Sequence, residues 1–211
     1  GSQQIENNTL KIPADKCLRF VNEGMILNGS IELNNTLIET SKDSIFKNVT
    51  FVKKSNCNAV RNVYVFPEWF AHDVICDRPH ENDPNAVILT VDDSVSINAA
   101  IALSCLDGAV VKLRAKNYNI FSNINIYSGT IIDGTYYGAL DRSQRQCTRI
   151  LYWPSTHAVE ANESGDHVAI DSTMEEMAFL IQNDIVSSTL SSHLTTCYKF
   201  KISNLSVEFG N

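Results

Sequence analysis

Apolar positions in the first seventy residues come in short runs that alternate with polar ones and are broken every few residues by Asn, Gly, Ser or Asp. Leu10–Ile12, Cys17–Phe20, Gly29–Leu33, Thr36–Ile38, Ser44–Phe46 and Val49–Phe51 each read as a strand of three to five residues. Strands this short do not stand alone and need neighbours stacked above and below. At Asp92-Asp93-Ser94 the period changes. Val95, Ile97, Ala99, Ala100, Ile101, Leu103 and Leu106 follow at helical spacing. An aspartate before such a stripe accepts the free amide protons of a first turn, and Asp107-Gly108 is a stop signal. The pattern predicts one α-helix from about Ser94 to Leu106.

After the helix the short alternating runs resume at Ala109–Leu113, Asn119–Phe121, Ile124–Ile126, Thr130–Ile132 and Thr148–Tyr152. They lack hairpin signals, so strands wound in one direction and paired in parallel one coil apart are expected. Asn28-Gly-Ser-Ile31, Asn34-Asn-Thr-Leu37, Lys47–Phe51, Ser122–Ile126 and Ser203–Val207 share a turn-then-aliphatic pattern without a strict period, as solenoids with variable loops do. From about 157 to 192 the texture changes. Thr173–Ile181 is ambiguous between helix and buried strand, Ser187–Ser192 is polar, and the stretch reads as an excursion before Cys197–Ile202 and Leu205–Phe209 return to strands.

Composition sharpens this picture in three places. Asparagine supplies 21 of 211 residues, and Asn tolerates left-handed backbone at tight turns. The formal charge of −7 and the lack of a Lys/Arg cluster denser than Lys53-Lys54 argue against a nucleic-acid partner. No apolar run approaches the roughly 18–20 residues a membrane span needs. Cys17, Cys57, Cys76, Cys105, Cys147 and Cys197 show no metal-ligand spacing, so no metal site is expected. Buried free thiols are the expectation, with three disulfides as the alternative. Gly1-Ser2 reads as the scar of a removed tag and is set aside.

Tyr64-Val-Phe-Pro-Glu-Trp-Phe70, followed after a variable stretch by Asp92-Asp93-Ser-Val-Ser-Ile-Asn-Ala-Ala-Ile101, resembles the entry segment of the pectate-lyase-like right-handed parallel β-helix family, of Bacteroides-group and phage tail-spike type. Ala109–Leu113 resembles that family's next strand, and Asn117-Tyr118 stands where its glycine-tyrosine turn falls. The leader Ile12–Phe51 is similar as well. The resemblance spans roughly residues 10 to 152. It departs at the family's glycine-rich loop, here replaced by Ala71–Asp77 and an insert, Arg78–Leu89.

The resemblance implies an all-β chain: a leader over 3–70, a connecting loop and capping helix over 71–107, and the first coils over 108–211. It implies the amino-terminal region of an extracellular or cell-surface carbohydrate-active or polysaccharide-binding protein, with any lyase or hydrolase chemistry on later coils outside this chain. The alternative is a tail spike or adhesin, on a virion tail, that binds host-surface glycans as a homotrimer. No cofactor is implied.

Candidate chemistry is sparse. Asp133 and Asp141, beside Tyr136, Tyr137, Tyr152 and Trp153, are the carboxylates best placed for sugar hydrolysis, but Asp133-Gly134 reads first as a turn. The aromatic residues could stack on sugar rings or pack in the protein, packing being the stronger reading. His72, His80, His157, His167 and His193 have no spacing that makes a ligand pair or a triad. Trp69 and Phe70 are expected to be buried as a plug on the solenoid end. No residue is assigned as catalytic or metal-binding, and the carbohydrate-binding residues are unspecified.

Overall fold

The computed structural model describes residues 3–4, 9–80, 83–137, 146–153, 160–161, 167–168, 179–181 and 200–209. These are mostly strands, with one α-helix, Asp93–Ser104. Among the described residues no helix is long and apolar enough to cross a membrane.

The two longest leader strands show how alternation becomes a fold. Ile26–Leu33 and Phe46–Lys53 pair in parallel, with Ile26 opposite Phe46 and Ile31 opposite Phe51. Ile26, Ile31 and Leu33 all point into the core, although strict two-residue alternation would send Ile31 outward. The left-handed backbone of Asn28 and Gly29 resets the parity, and Asn48 does the same on the neighbouring strand. Asn48 Nδ2 donates to Asn28 Oδ1 at 3.2 Å, so the two bends are stacked. The runs expected as separate strands, Ser44–Phe46 and Val49–Phe51, are therefore one strand bent at Asn48. Six of the eight described non-glycine residues with positive φ are asparagines, which is the use expected of the Asn excess.

Parallel pairing continues along the chain. Gln3-Gln4, Thr9–Lys11 and Phe70-Ala71 join the sheet just described. Cys17–Arg19 pairs with Leu37–Glu39. Tyr64-Val65, Val110–Lys112, Ile131–Asp133 and Lys201–Ser203 form a third sheet, parallel throughout. Asn117–Ile120, Gln146–Tyr152 and Leu205–Phe209 form a fourth, with Tyr136-Tyr137 added antiparallel to Gln146–Tyr152. Ile124–Ile126 pairs in parallel with Phe179–Ile181, the described part of the ambiguous Thr173–Ile181 run. One core runs through these sheets, from Phe20, Ile31 and Phe46 through Val65, Ile97 and Val111 to Ile120, Ile132 and Ile150.

The helix begins where expected, with Asp92 as its N-cap, and ends two residues early, at Ser104. Gly108, at φ 72°, follows the frayed last turn, and its amide donates to the Ser104 carbonyl at 2.8 Å. Asn117–Ile120 is the edge strand of its sheet, and the helix end supplies what a neighbouring strand would. The Asn119 amide donates to Asp93 Oδ2 at 2.8 Å, and the Phe121 amide to Asp92 Oδ1 at 3.1 Å. The Asn125 amide donates to Asn98 Oδ1 at 2.8 Å. Beyond the other end of the helix, Asp107 Oδ2 accepts the Val60 amide at 2.8 Å and that of Ala59 as well. Helix and flanks thus bond the backbone on both sides, as buried amides require.

The segment expected to be a connecting loop is not loop throughout. Ile75–His80 and Asp83–Val91 form an antiparallel pair, with Ile75 opposite Val91 and Asp77 opposite Leu89. Arg78, on its inner face, lies 5.2 Å from the Trp153 ring centroid. Cys17, Cys57, Cys76 and Cys147 are free thiols, as expected, but Cys17 is exposed and the other three are only partly buried. Cys105 Sγ sits 3.4 Å from Thr130 Oγ1. Cys197 lies outside the described residues.

Candidate functional site

The segment Tyr64–Phe70 organises the polar and aromatic surface. Pro67–Trp69 makes a single 3₁₀ turn, started by proline's fixed φ. Trp69 and Phe70 are buried, as expected of a plug. The turn sends side chains to two sides. Tyr64, Phe66 and Trp69 line an open groove of ≈ 600 Å³ together with Arg19, Glu39 and Ser41. Glu68 and Phe70 line a cleft of ≈ 280 Å³ with His72, Asp93, Ser96 and Lys116.

The cleft is held by a polar network centred on Glu68. Tyr118 is fully buried; its hydroxyl donates to Glu68 Oε1 at 2.6 Å and accepts the Arg114 amide at 2.8 Å. Burial, and then the Glu68 charge, push the Tyr118 phenol far above its ordinary range. Lys116 Nζ lies 3.3 Å from Glu68 Oε1 and 3.8 Å from Asp93 Oδ1, so one ammonium serves two carboxylates. Burial raises the Asp93 carboxyl above its usual value, with Lys116 and the Asn119 amide opposing it. Arg114 clamps Asp43 through two nitrogens, at 3.0 and 2.7 Å.

Two neighbouring carboxylates in a cleft invite an acid–base reading. Here the Lys116 ammonium stands between them, where a scissile bond would have to lie. Asp93 Oδ2 is engaged by backbone and Glu68 Oε1 by Tyr118. The network therefore ties Tyr64–Phe70 to Arg114–Asn119, and the core closes on that tie.

The groove differs in having reachable groups. Tyr64 is 45% exposed; Phe66 stands behind it at 6.4 Å between ring centroids, with Trp69 5.6 Å further in. Arg19 and Glu39 sit opposite each other on paired strands. Arg19 Nε donates to Glu39 Oε2 at 2.8 Å, and Arg19 Nη2 approaches the same oxygen at 2.7 Å. The Arg19 bond, with the Cys17 thiol second, holds the Glu39 carboxyl below its usual range. The Asn62 side-chain amide bonds both the N–H and the C=O of Ile38.

Among the described residues, the carboxylate and rings singled out in sequence each have their own surroundings. Asp133 ends a strand, and its carboxylate accepts from Lys112 Nζ at 2.7 Å, Asn204 Nδ2 at 2.7 Å and Ser203 Oγ at 3.0 Å. Desolvation opposes these bonds, but together they hold the carboxyl below its ordinary value. Gly134 is needed for a close approach, since a Cβ there would meet the Asn204 carbonyl oxygen at 2.2 Å. Tyr152 and Trp153 are buried, and Trp153 Nε1 donates to Asn119 Oδ1 at 3.0 Å. Tyr136 is exposed. His72 Nδ1 accepts the Val74 amide at 3.3 Å. Asp141, His157 and His193 lie outside the described residues, and His80 and His167 are described in backbone only. Among the described residues no group of His, Cys, Asp or Glu could hold a metal ion.

Sequence reasoning passed over Arg19, Glu39 and Tyr64. The available signal was spacing: Arg19 and Glu39 are one strand-to-strand step apart, as are Leu18 and Ile38. Against known proteins, no family model matches the chain, and no curated protein or solved structure matches it either.

Proposed function

We propose that this chain is the entry region of an extracellular right-handed parallel β-helix protein, that the helix Asp93–Ser104 caps its coils, and that the region binds polysaccharide. The supporting observation is the register. Most strand pairs are parallel, and in the leader most strands meet a partner about twenty residues on, as Leu10 meets Ile31 and Ile31 meets Phe51. Stacking of that kind puts side chains from successive coils side by side on one outer face. The Tyr64 groove lies on such a face and offers an exposed ring beside hydrogen-bonding groups. The reading assigns binding to this region and turnover, where the parent protein has it, to other coils.

The test is retention and turnover on a panel of neutral and acidic polysaccharides. Retardation of the protein in gels containing at least one of them is expected. Neither new reducing ends nor the ultraviolet absorbance of unsaturated uronides should appear. Absence of retardation across the panel would sink the reading, and turnover would move catalysis into this chain.

A second reading, a homotrimeric attachment shaft, draws on one observation. Ile75, Val87, Leu89 and Val91 lie exposed on the outer face of the hairpin, flanked by Val74. A two-stranded ribbon is marginal by itself and keeps two open edges, so copies of the chain covering one another would stabilise it. Light scattering separates the readings: a trimer weakened by Leu89→Lys supports the shaft, and a monomer at high concentration removes it.

A further inference from the structure

We infer that the groove between Arg19–Glu39 and Tyr64 selects neutral saccharide chains and rejects polyuronates. This rests on the polysaccharide-binding reading above and names the ligand class that the chemistry of the wall admits.

The first argument is charge. Of the described residues lining the groove, Arg19 is the one cation and Glu39 the one anion, and the two are paired, with the Cys17 thiol also on Glu39. A polyuronate would bring a carboxylate with every sugar, and each would need a cation or a cluster of amides. Binding it at Arg19 would leave Glu39 without its partner and facing another carboxylate. The formal charge of −7 on the whole chain opposes a polyanion further.

The second argument is the hydrogen-bonding pattern. A sugar hydroxyl both donates and accepts, so adjacent hydroxyls are served by an acceptor and a donor held side by side. Both Arg19 nitrogens converge on Glu39 Oε2. A carboxylate can accept more bonds than these, and the rest of the guanidinium fork, on a side chain 69% exposed, keeps donors to offer. The ion pair, with the Cys17 thiol also on the Glu39 carboxylate, presents acceptor and donors side by side without net charge.

The third argument is the ring. Tyr64 presents an exposed aromatic side chain with Phe66 packed behind it. An aromatic face covers the apolar C–H face of a pyranose, and the phenol reaches the ring's hydroxyls. The groove's open form suits a chain that passes through it, where a closed pocket would suit a chain end.

The experiment uses the whole chain in affinity electrophoresis on neutral probes (galactomannan, β-glucan, dextran) and acidic ones (polygalacturonate, alginate), at low and high salt. Retardation by at least one neutral polymer and by neither acidic one is expected, with little salt dependence because no net charge is neutralised. Tyr64→Ala should weaken binding by about three- to tenfold, and Tyr64→Phe should keep most of it. Arg19→Ala should weaken neutral binding without admitting polygalacturonate. Tyr64 and Arg19 are exposed, so both variants should match the parent in far-ultraviolet circular dichroism and in urea midpoint. Tighter binding to an acidic polymer, or neutral binding unchanged in Tyr64→Ala and Arg19→Ala alike, would overturn the inference and leave the polysaccharide reading standing. Absence of binding to every polymer overturns both.

Discussion

Asp92→Ala is expected to lower the free energy of unfolding by about 2–4 kcal/mol, which is more than loss of an ordinary helix cap costs. Asp92 is 2% exposed. Its Oδ1 accepts the Ser94 amide at 3.0 Å and the Phe121 amide at 3.1 Å, and its Oδ2 accepts the Ser122 hydroxyl at 2.7 Å. A cap alone contributes about 1 kcal/mol. The larger effect comes from the other donors, because an amide stranded in the interior loses its water without gaining a partner. Asn at the same place keeps an acceptor for both amides, and the Ser122 hydroxyl can turn to accept from the new NH₂. Asp92→Asn should therefore recover most of the loss. Urea titrations of the parent and the two variants check this. A loss below about 0.5 kcal/mol in the alanine variant would mean that the helix does not hold the edge of the Asn117–Ile120 strand.

Phe46→Ala should cost about 3–5 kcal/mol, the range for removing a buried aromatic ring. Phe46 is almost fully buried. Its ring meets Phe20 at 5.2 Å and Phe51 at 4.9 Å, both edge to face, and Phe70 at 5.7 Å, tilted. Such pairs are worth more than their buried area. The ring also joins leader strands to Phe70, which faces Phe46 across paired strands. Little can move in to fill the space, because Ile26 and Phe70 are fixed by the register on either side. Phe46→Leu keeps much of the volume and should cost less than half as much. The urea midpoint is expected to fall with its slope unchanged; equal midpoints for the alanine and leucine variants would show that the ring contacts carry little.

The residues that were legible in sequence are those whose local signal and tertiary role agree. Asp92 reads as a cap and is one; Trp69 and Phe70 read as a plug and are buried. Asn28 and Asn48 read as turn residues, and their left-handed backbone bends continuous strands. Tyr152 and Trp153 were open to two readings because the inward face of Gln146–Tyr152 is set by neighbours distant in sequence. Thr148, Ile150 and Tyr152 alternate inward against partners at Leu205, Val207 and Phe209. The hairpin was hidden because Pro79 and Pro84 interrupt the strand pattern, and the apolar run at Ala86–Leu89 exposes Val87 and Leu89. The groove was hidden for a plainer reason. Arg19 and Glu39 carry no local motif and only the register makes them neighbours, while Tyr64 reads merely as the start of the Tyr64–Phe70 segment.

The register also bears on the order in which the chain can assemble. Leu18 finds Ile38, and Ile31 finds Phe51, across loops of about twenty residues. Ile132 must find Ile202 across seventy residues, and Ile150 must find Val207 across more than fifty. Closing the longer loops costs only roughly 1 kcal/mol more at equilibrium, but distant partners slow the search. A chain made from its amino end has the whole leader available before residues 201–209 exist. Its early strands can then offer a finished edge to each later arrival, and the slowest step falls to the last strands to join.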